Sequence, residues 1–351
     1  MAYLIVGGGG FLGANLVAAL QENNDFTKLF ILDPCFKLSQ YTHLKINESN
    51  ITWINGSFLD SDLLDEILPG IETVFHLSSI GHTGRFGASK HRDYVQFFNV
   101  TGTERLIEKC RIHHVKRFIY ASSIAVCFVG KPIYDFSESD TLPPKEEYLD
   151  IYSETKADAE KIVRNSSTFE FRTTCLRFRA IYGPQDVCVA QKVVEMVRRN
   201  FLMFKISKDG RETISNMSSG QNCGVSMHLA NQALMKNDIH GQVYNITDGL
   251  KIGQYTVWNA LIFALGKSPP KLFVSYDLVS FFVSVMGFIC FELFGCSPPL
   301  TRFELEVLVT DNTYSIEKAQ KELGFNPEKD NFKQKTNGSD EKQNRKSVFY
   351  S

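Results

Sequence analysis

Tyr152 and Lys156 stand four residues apart in the stretch YSETK. If that stretch is helical, both side chains leave one face. Upstream, YASSIAV at 120–126 reads as a strand ending in the paired serines Ser122 and Ser123, the second of them 29 residues before Tyr152. A phenol, an ammonium and a hydroxyl brought together can move hydride between an alcohol and a ketone. The phenol would take the hydroxyl proton as hydride leaves the carbon, and a serine hydroxyl would hold the substrate oxygen. The ammonium would hold a ribose and favour the tyrosinate.

A hydride needs an acceptor, and a second constellation points to one. Gly7, Gly10 and Gly13 have the spacing G-x-x-G-x-x-G within AYLIVGGGGFLG, between a short apolar run and a helical pattern. The first glycine permits a tight turn, the second lets backbone approach a pyrophosphate, and the third allows close helix–strand packing. Phe11 and Leu12 lie in the helix opening, where free N–H groups and a partial positive charge face the phosphates. Gly8 and Gly9 fill the variable positions and read as spare. Asp33 ends the second strand, twenty residues after Gly13. A carboxylate there accepts hydrogen bonds from ribose hydroxyls and repels a 2′-phosphate, and no arginine adjoins it. NAD is therefore expected rather than NADP, held by Gly7, Gly10, Phe11, Leu12, Gly13 and Asp33, with Tyr152 and Lys156 at its reactive end.

The lysine is needed on energetic grounds. A phenol with a pKa near 10 must come down by about 3 pH units, or ~4 kcal/mol, to serve as base at neutral pH. An ammonium and a cationic nicotinamide in a desolvated cleft supply attraction of that size.

These residues require a scaffold that brings strand ends together. Short apolar runs at 3–6, 28–32, 52–55, 73–77, 117–122 and 172–179 alternate with helical patterns near 12–23, 62–68, 98–111 and 152–164. Alternation of this kind predicts an α/β, doubly wound (Rossmann) parallel sheet covered on both faces. Runs such as YLIV and RFIYAS are apolar in succession, as strands buried on both faces should be. Residues 1–185 are expected to form the dinucleotide-binding domain and 186–330 a smaller substrate-binding α/β region, with 331–351 a disordered tail.

The same stretches resemble the extended short-chain dehydrogenase/reductases. VGGGGFLG, Asp33, VFHLSS, NVTGT, ASSIAV, YSETK and LRFRAIYGP fall in that family's order. YNITDG, PPLTRFELEV and YSIEKAQKELGFNP make the 3β-hydroxysteroid dehydrogenase/isomerase group the most similar. The resemblance implies that Ser123, rather than Ser122, joins Tyr152 and Lys156 as the catalytic set, and that Asn99 supports their helix. It gives His228 a structural place. Two departures stand out: Ser57 follows Gly56 where the family often has aspartate, and Phe178 replaces a proline near the nicotinamide. Phe178 could narrow the pocket, stack on the ring or shift substrate choice. The activity implied is NAD-dependent oxidation of a steroid or sterol 3β-hydroxyl, with Δ5–Δ4 isomerisation as a companion reaction. The alternatives are a decarboxylating 4-carboxysterol 3-dehydrogenase and a non-catalytic NAD-binding membrane regulator.

The uncharged segment LVSFFVSVMGFICF at 278–291 agrees with an apolar substrate or a lipid surface. As a helix its 14 residues reach roughly 21 Å, short of a ~30 Å hydrocarbon core. A helix inserted into one membrane face, a buried pocket wall and a true span remain open. A net charge of −1 speaks against nucleic acid. The eight cysteines include no C-x-x-C pair, so neither a zinc site nor a disulfide framework is expected. Few apolar residues precede the glycines, so no secretory signal is expected. An intracellular, cytoplasm-facing protein associated with the endoplasmic reticulum membrane is. The expected partners are an apolar small molecule and a membrane touched through 278–291, with a homodimer left open. His82, Arg85 and Phe86, after the fourth strand, are candidate substrate contacts, while His113 and His114 read as a solvated connection.

Overall fold

The computed structural model describes residues 1–24, 26–35, 38–81, 91–186, 188–200, 202–236, 239–296 and 298–328. His82, Arg85, Phe86 and the tail at 331–351 lie outside the described residues. Seven parallel strands form the main sheet: β1 (Ala2–Val6), β2 (Lys28–Leu32), β3 (Ile51–Ile54), β4 (Thr73–His76), β5 (Arg117–Ser123), β6 (Arg172–Phe178) and β7 (Gln242–Ile246). Their order is β7-β6-β5-β4-β1-β2-β3. The chain winds outward from β1 in both directions, which leaves a crevice between β1 and β4 at the C-terminal strand ends.

The helices of the described residues are α1 (Phe11–Asn23), α2 (Ser61–Ile67), α3 (Arg92–Gln96), α4 (Gly102–Ile112), α5 (Ile151–Asn165), α6 (Val189–Arg198), α7 (Gly220–Lys236), α8 (Asn259–Ala264), α9 (Tyr276–Phe288), α10 (Arg302–Val309) and α11 (Glu317–Leu323). Alternate strand residues feed two cores, as a period of two requires. Tyr3 and Ile5 pack with Leu16, Val17 and Met227 on the α1/α7 face. Leu4 and Val6 pack with Leu106, Ala159 and Val163 on the α4/α5 face.

The expected division at residue 185 does not follow the packing. β7 pairs with β6, and α7 lies against α1, so much of 220–246 belongs to the first unit. Without β7, β6 would carry an open row of backbone N–H and C=O groups. Gly224 makes the helix contact feasible, because a Cβ there would stand 2.3 Å from the Asn15 carbonyl oxygen. Conversely, Ile133–Phe136 joins the second sheet beside Asn312–Tyr314, with Ile214–Ser215 and Ile252–Gly253 beyond.

The apolar segment corrects two expectations. None of the described residues belongs to a helix long and apolar enough to cross a membrane. α9 has 13 residues, none of them buried, so it is not a buried pocket wall either. Ser275 caps its start and left-handed Gly295 ends its π-turn continuation, Ile289–Phe294. Phe281 and Phe288 are 65% and 63% exposed.

The glycine turn joins β1 to α1 and leaves no glycine spare against the protein except one. Gly7 adopts φ +78°, and a Cβ on it would meet the Ser78 backbone at 2.7 Å. At Gly8 it would press Ile5 at 2.7 Å, and at Gly9 it would strike the Cys35 carbonyl oxygen at 2.1 Å. At Gly13 it would meet the Gly8 carbonyl oxygen at 2.1 Å. Only at Gly10 would it meet nothing within 4 Å. The reading of Gly8 and Gly9 as spare is thus overturned by the walls that surround them. In urea unfolding, Gly9→Ala and Gly13→Ala should each cost about 1–3 kcal/mol by overpacking, while Gly10→Ala should cost almost none. Equal stability of Gly9→Ala and Gly10→Ala would contradict the turn geometry.

Candidate active site

α5 begins where the Asp150 side chain accepts a hydrogen bond from the Ser153 N–H at 2.7 Å. That start sets Tyr152, Lys156 and Glu160 on successive turns of one face, against β5. Lys156 Nζ donates to the Ala121 carbonyl at 2.5 Å. Ser122 Oγ donates to Glu160 Oε2 at 2.7 Å. Ser123 and Ser79 lie near the Tyr152 hydroxyl, where both act to lower its pKa. Three consecutive residues of β5 therefore face three turns of α5, and the fold brings Ser123, Tyr152 and Lys156 together. Ser79 ends VFHLSS, and only the fold brings it beside Tyr152.

Burial dominates the electrostatics. It pushes the Tyr152 phenol up to about 12, with the bond to Ser123 opposing, Asp150 adding to the rise and Ser79 also opposing. It pulls the Lys156 ammonium down to about 7, against the attraction of Cys175 and Glu160. Lys156 Nζ also sits 4.1 Å from the centre of the Tyr120 ring. Glu160 is held by Arg177 through two bonds, Nη2 to Oε1 at 2.7 Å and Nε to Oε2 at 2.9 Å. Both partners are 1% exposed, so this pair fixes geometry more than it adds stability. His76 stays neutral, since burial lowers it to about 3 and its Nε2 contacts Thr103 Oγ1 at 3.1 Å.

Asn99 ties the helix to the strand end before it. Its Nδ2 donates to the Ile80 carbonyl at 2.9 Å and to Thr155 Oγ1 at 3.0 Å. Its Oδ1 accepts from the Ile80 N–H at 2.9 Å. Asn99 occupies a π-turn, Phe97–Thr101, that interrupts the run from α3 to α4. Such insertions re-aim side chains and favour functional sites. Periodicity alone reads this run as one helix.

The residues expected to hold the cofactor gather at the β1–α1 turn and the end of β2. Gly10 caps α1 without a side-chain partner, and its Cα faces open space. The N–H groups at Phe11, Leu12 and Gly13 therefore remain suited to an anion. The Phe11 side chain points elsewhere, packing on Tyr41 at 5.8 Å between ring centres. Asp33 Oδ2 accepts from the Gly9 N–H at 3.0 Å and Oδ1 from the Cys35 N–H at 2.7 Å. Each oxygen keeps a lone pair for a ribose hydroxyl. A dinucleotide fits this set: phosphate at the helix start, ribose at the carboxylate.

Other candidates fall outside the site. Phe178 is 4% exposed and sits in the core with Ala121 and Met227, so it neither narrows a pocket nor offers a stacking face. The ring fills the space beneath the strand ends. Ser57 Oγ accepts from the Leu59 N–H at 3.2 Å, a turn role. His113 pairs with Asp65 at 2.8 Å on the surface. Among the described residues no group of three or more His, Cys, Asp or Glu side chains could hold a metal.

Residues 4–272 match the 3-beta hydroxysteroid dehydrogenase/isomerase family. The 3beta-hydroxysteroid dehydrogenase/Delta(5)-Delta(4) isomerase 1 of Caenorhabditis elegans is 31% identical, over 92% of this chain and 75% of its own. Short-chain dehydrogenase/reductase family 42E member 1 of Xenopus laevis is 30% identical, over 93% of this chain and 84% of its own. Among solved structures, UDP-glucuronic acid 4-epimerase from Bacillus cereus in complex with NAD has a TM-score of 0.70 at 21% identity, covering 95% of this chain and 96% of its own. That likeness concerns the fold. The chain belongs to the 3-beta hydroxysteroid dehydrogenase/isomerase family.

Proposed function

We propose that the protein oxidises the 3β-hydroxyl of a steroid or sterol to a ketone with NAD as acceptor. The observation that carries this reading is the seam itself: Ser123, Tyr152 and Lys156 converge beside a glycine turn that is open only at Gly10. NAD would lie with its phosphates at Gly10–Gly13 and a ribose at Asp33, and it supplies the hydride acceptor and a positive ring. Ser123 holds the substrate oxygen. Tyr152 takes its proton as the C–H bond gives up hydride. Lys156 hydrogen-bonds the second ribose and lowers the phenol from the high value that burial alone imposes. Asn99 keeps the α5 end fixed against the strand while this happens. Δ5–Δ4 isomerisation, carried in the name of the nematode relative, enters the proposal at family level and rests on no residue of the seam.

The exposed face of α9 supports a second part of the proposal. Leu278, Phe281, Phe282, Val285 and Phe288 are all exposed on a helix too short to span. Fully burying a large apolar side chain is worth roughly 1.5–3 kcal/mol, so even part of that gain from each would hold the protein on a lipid surface. We place α9 in one leaflet, on the cytoplasmic face of the endoplasmic reticulum membrane, where sterols dissolve.

Tyr152→Phe should lower NADH formation from 3β-hydroxysteroids about 10²–10⁴-fold while leaving NAD affinity close to wild type. Activity that survives the change would refute its role as base. In wild type, kcat/KM for oxidation should rise with pH as the loaded phenol loses its proton. Lys156→Met should move that limb upward by about one pH unit or more, and an unmoved limb would remove the lysine from the proton transfer. Phe281→Ser/Phe282→Ser should abolish cosedimentation with phosphatidylcholine vesicles without lowering turnover of detergent-dispersed substrate; unchanged sedimentation would exclude α9 as the contact.

A further inference from the structure

Two thiols meet where α9 ends. The helix runs on into the π-turn Ile289–Phe294, and Gly295 stops it at φ +62°. Across that stop the Cys290 carbonyl receives two donors, the Gly295 N–H and the Cys296 N–H, the latter at 2.9 Å. Both cysteines are free, Cys290 buried and Cys296 exposed. Burial raises the proton affinity of the Cys290 thiol, and the Cys296 thiol near it adds to the rise.

The backbone already holds the pair at bonding range. An N–H···O=C bridge of 2.9 Å keeps the Cα atoms of its two residues closer than about 7 Å, the separation beyond which a disulfide cannot close. In the usual glycine stop, the residue after the glycine donates to a carbonyl of the last turn and the two side chains touch. The π-turn adds a residue to that arrangement, so the residue that Cys296 reaches is Cys290, and sulfur stands where an apolar contact is common. Exposure suits Cys296 to meet an oxidant first, and burial suits Cys290 to complete the bond from within. The ring so closed would contain Leu293 and Phe294, which are 65% and 75% exposed and continue the apolar surface of α9.

We propose that Cys290 and Cys296 form a reversible disulfide that clasps the end of α9 and strengthens its hold on lipid. The bond rests on the geometry of the glycine stop; its effect on lipid rests on the membrane reading of α9. The oxidant is a low-molecular-weight disulfide such as glutathione disulfide. The Cys296 thiolate attacks one of its sulfurs, that S–S bond breaks, and one glutathione leaves. The Cys290 thiolate then attacks the Cys296 sulfur of the mixed disulfide, and the second glutathione leaves. Two protein thiols are oxidised, one disulfide is reduced to two thiols, and the two protein protons end on the departing thiolates. Closing the ring removes freedom from Leu293 and Phe294 before they meet lipid, and a preorganised contact binds more tightly.

The test equilibrates the full chain with glutathione disulfide, blocks remaining thiols with N-ethylmaleimide and weighs the tryptic peptide Leu272–Arg302. No Lys or Arg interrupts that peptide, so it carries both cysteines. In wild type it should lose two hydrogen atoms and take no label, and dithiothreitol should restore both thiols. In Cys290→Ser it should keep glutathione on Cys296. Two maleimide labels on the wild-type peptide, or glutathione retained there, overturn the clasp. Oxidised wild type should then bind phosphatidylcholine vesicles at least about threefold more tightly than the reduced form, a difference that Cys296→Ser should abolish. Equal binding of the two forms, or a difference that survives Cys296→Ser, overturns the effect on lipid. Binding by neither form would sink the membrane reading of α9 and leave the disulfide standing.

Discussion

Much of the molecule depends on the polar seam between α5 and β5. A helix resting on a parallel sheet normally meets it through apolar side chains, and much of α5 does so through Ala159 and Val163. One face instead presents a phenol, an ammonium and a carboxylate to three consecutive strand residues. Each of these groups is costly to bury alone, so each bond constrains the next. Arg177 anchors the carboxylate from β6, and Asn99 anchors the helix from the π-turn. Removing any one support would strand a buried polar atom of the seam.

Much of the scaffold and the candidate trio were legible in the sequence. Runs such as YLIV and RFIYAS have no polar face to offer solvent, so they could only be central strands. Tyr152 and Lys156 could be placed on one face because helical spacing is a local property. What escaped was set by distance in space. The wall against Gly9 is the Cys35 carbonyl, and the wall against Gly13 is another glycine's carbonyl; neither has a signature at the glycine itself. The return of β7 to the first sheet is a choice of partner, which periodicity does not encode. The π-turn at Asn99 costs one extra residue in a helix that otherwise reads as regular.

The apolar segment teaches a related lesson. Composition alone suits a wall of a pocket and a surface on lipid equally well, because both remove the side chains from water. The difference lies in which neighbours reach the helix, and α9 has no buried residue. Arg179 is the reverse case. It is an ordinary basic residue in LRFRAIYGP, and its burial and its bonds to Asn312 and Ser215 appear only in the fold.

Asp33 shows how two properties usually treated as separate can share one side chain. Its carboxylate, which we propose receives a ribose, also latches the glycine turn by accepting the Gly9 and Cys35 N–H groups. On that proposal, any exchange of this residue to retune cofactor choice would also unfasten the glycine turn. If the ribose does sit there, selectivity and loop order share a single carboxylate, and a redesign of the first must rebuild the second.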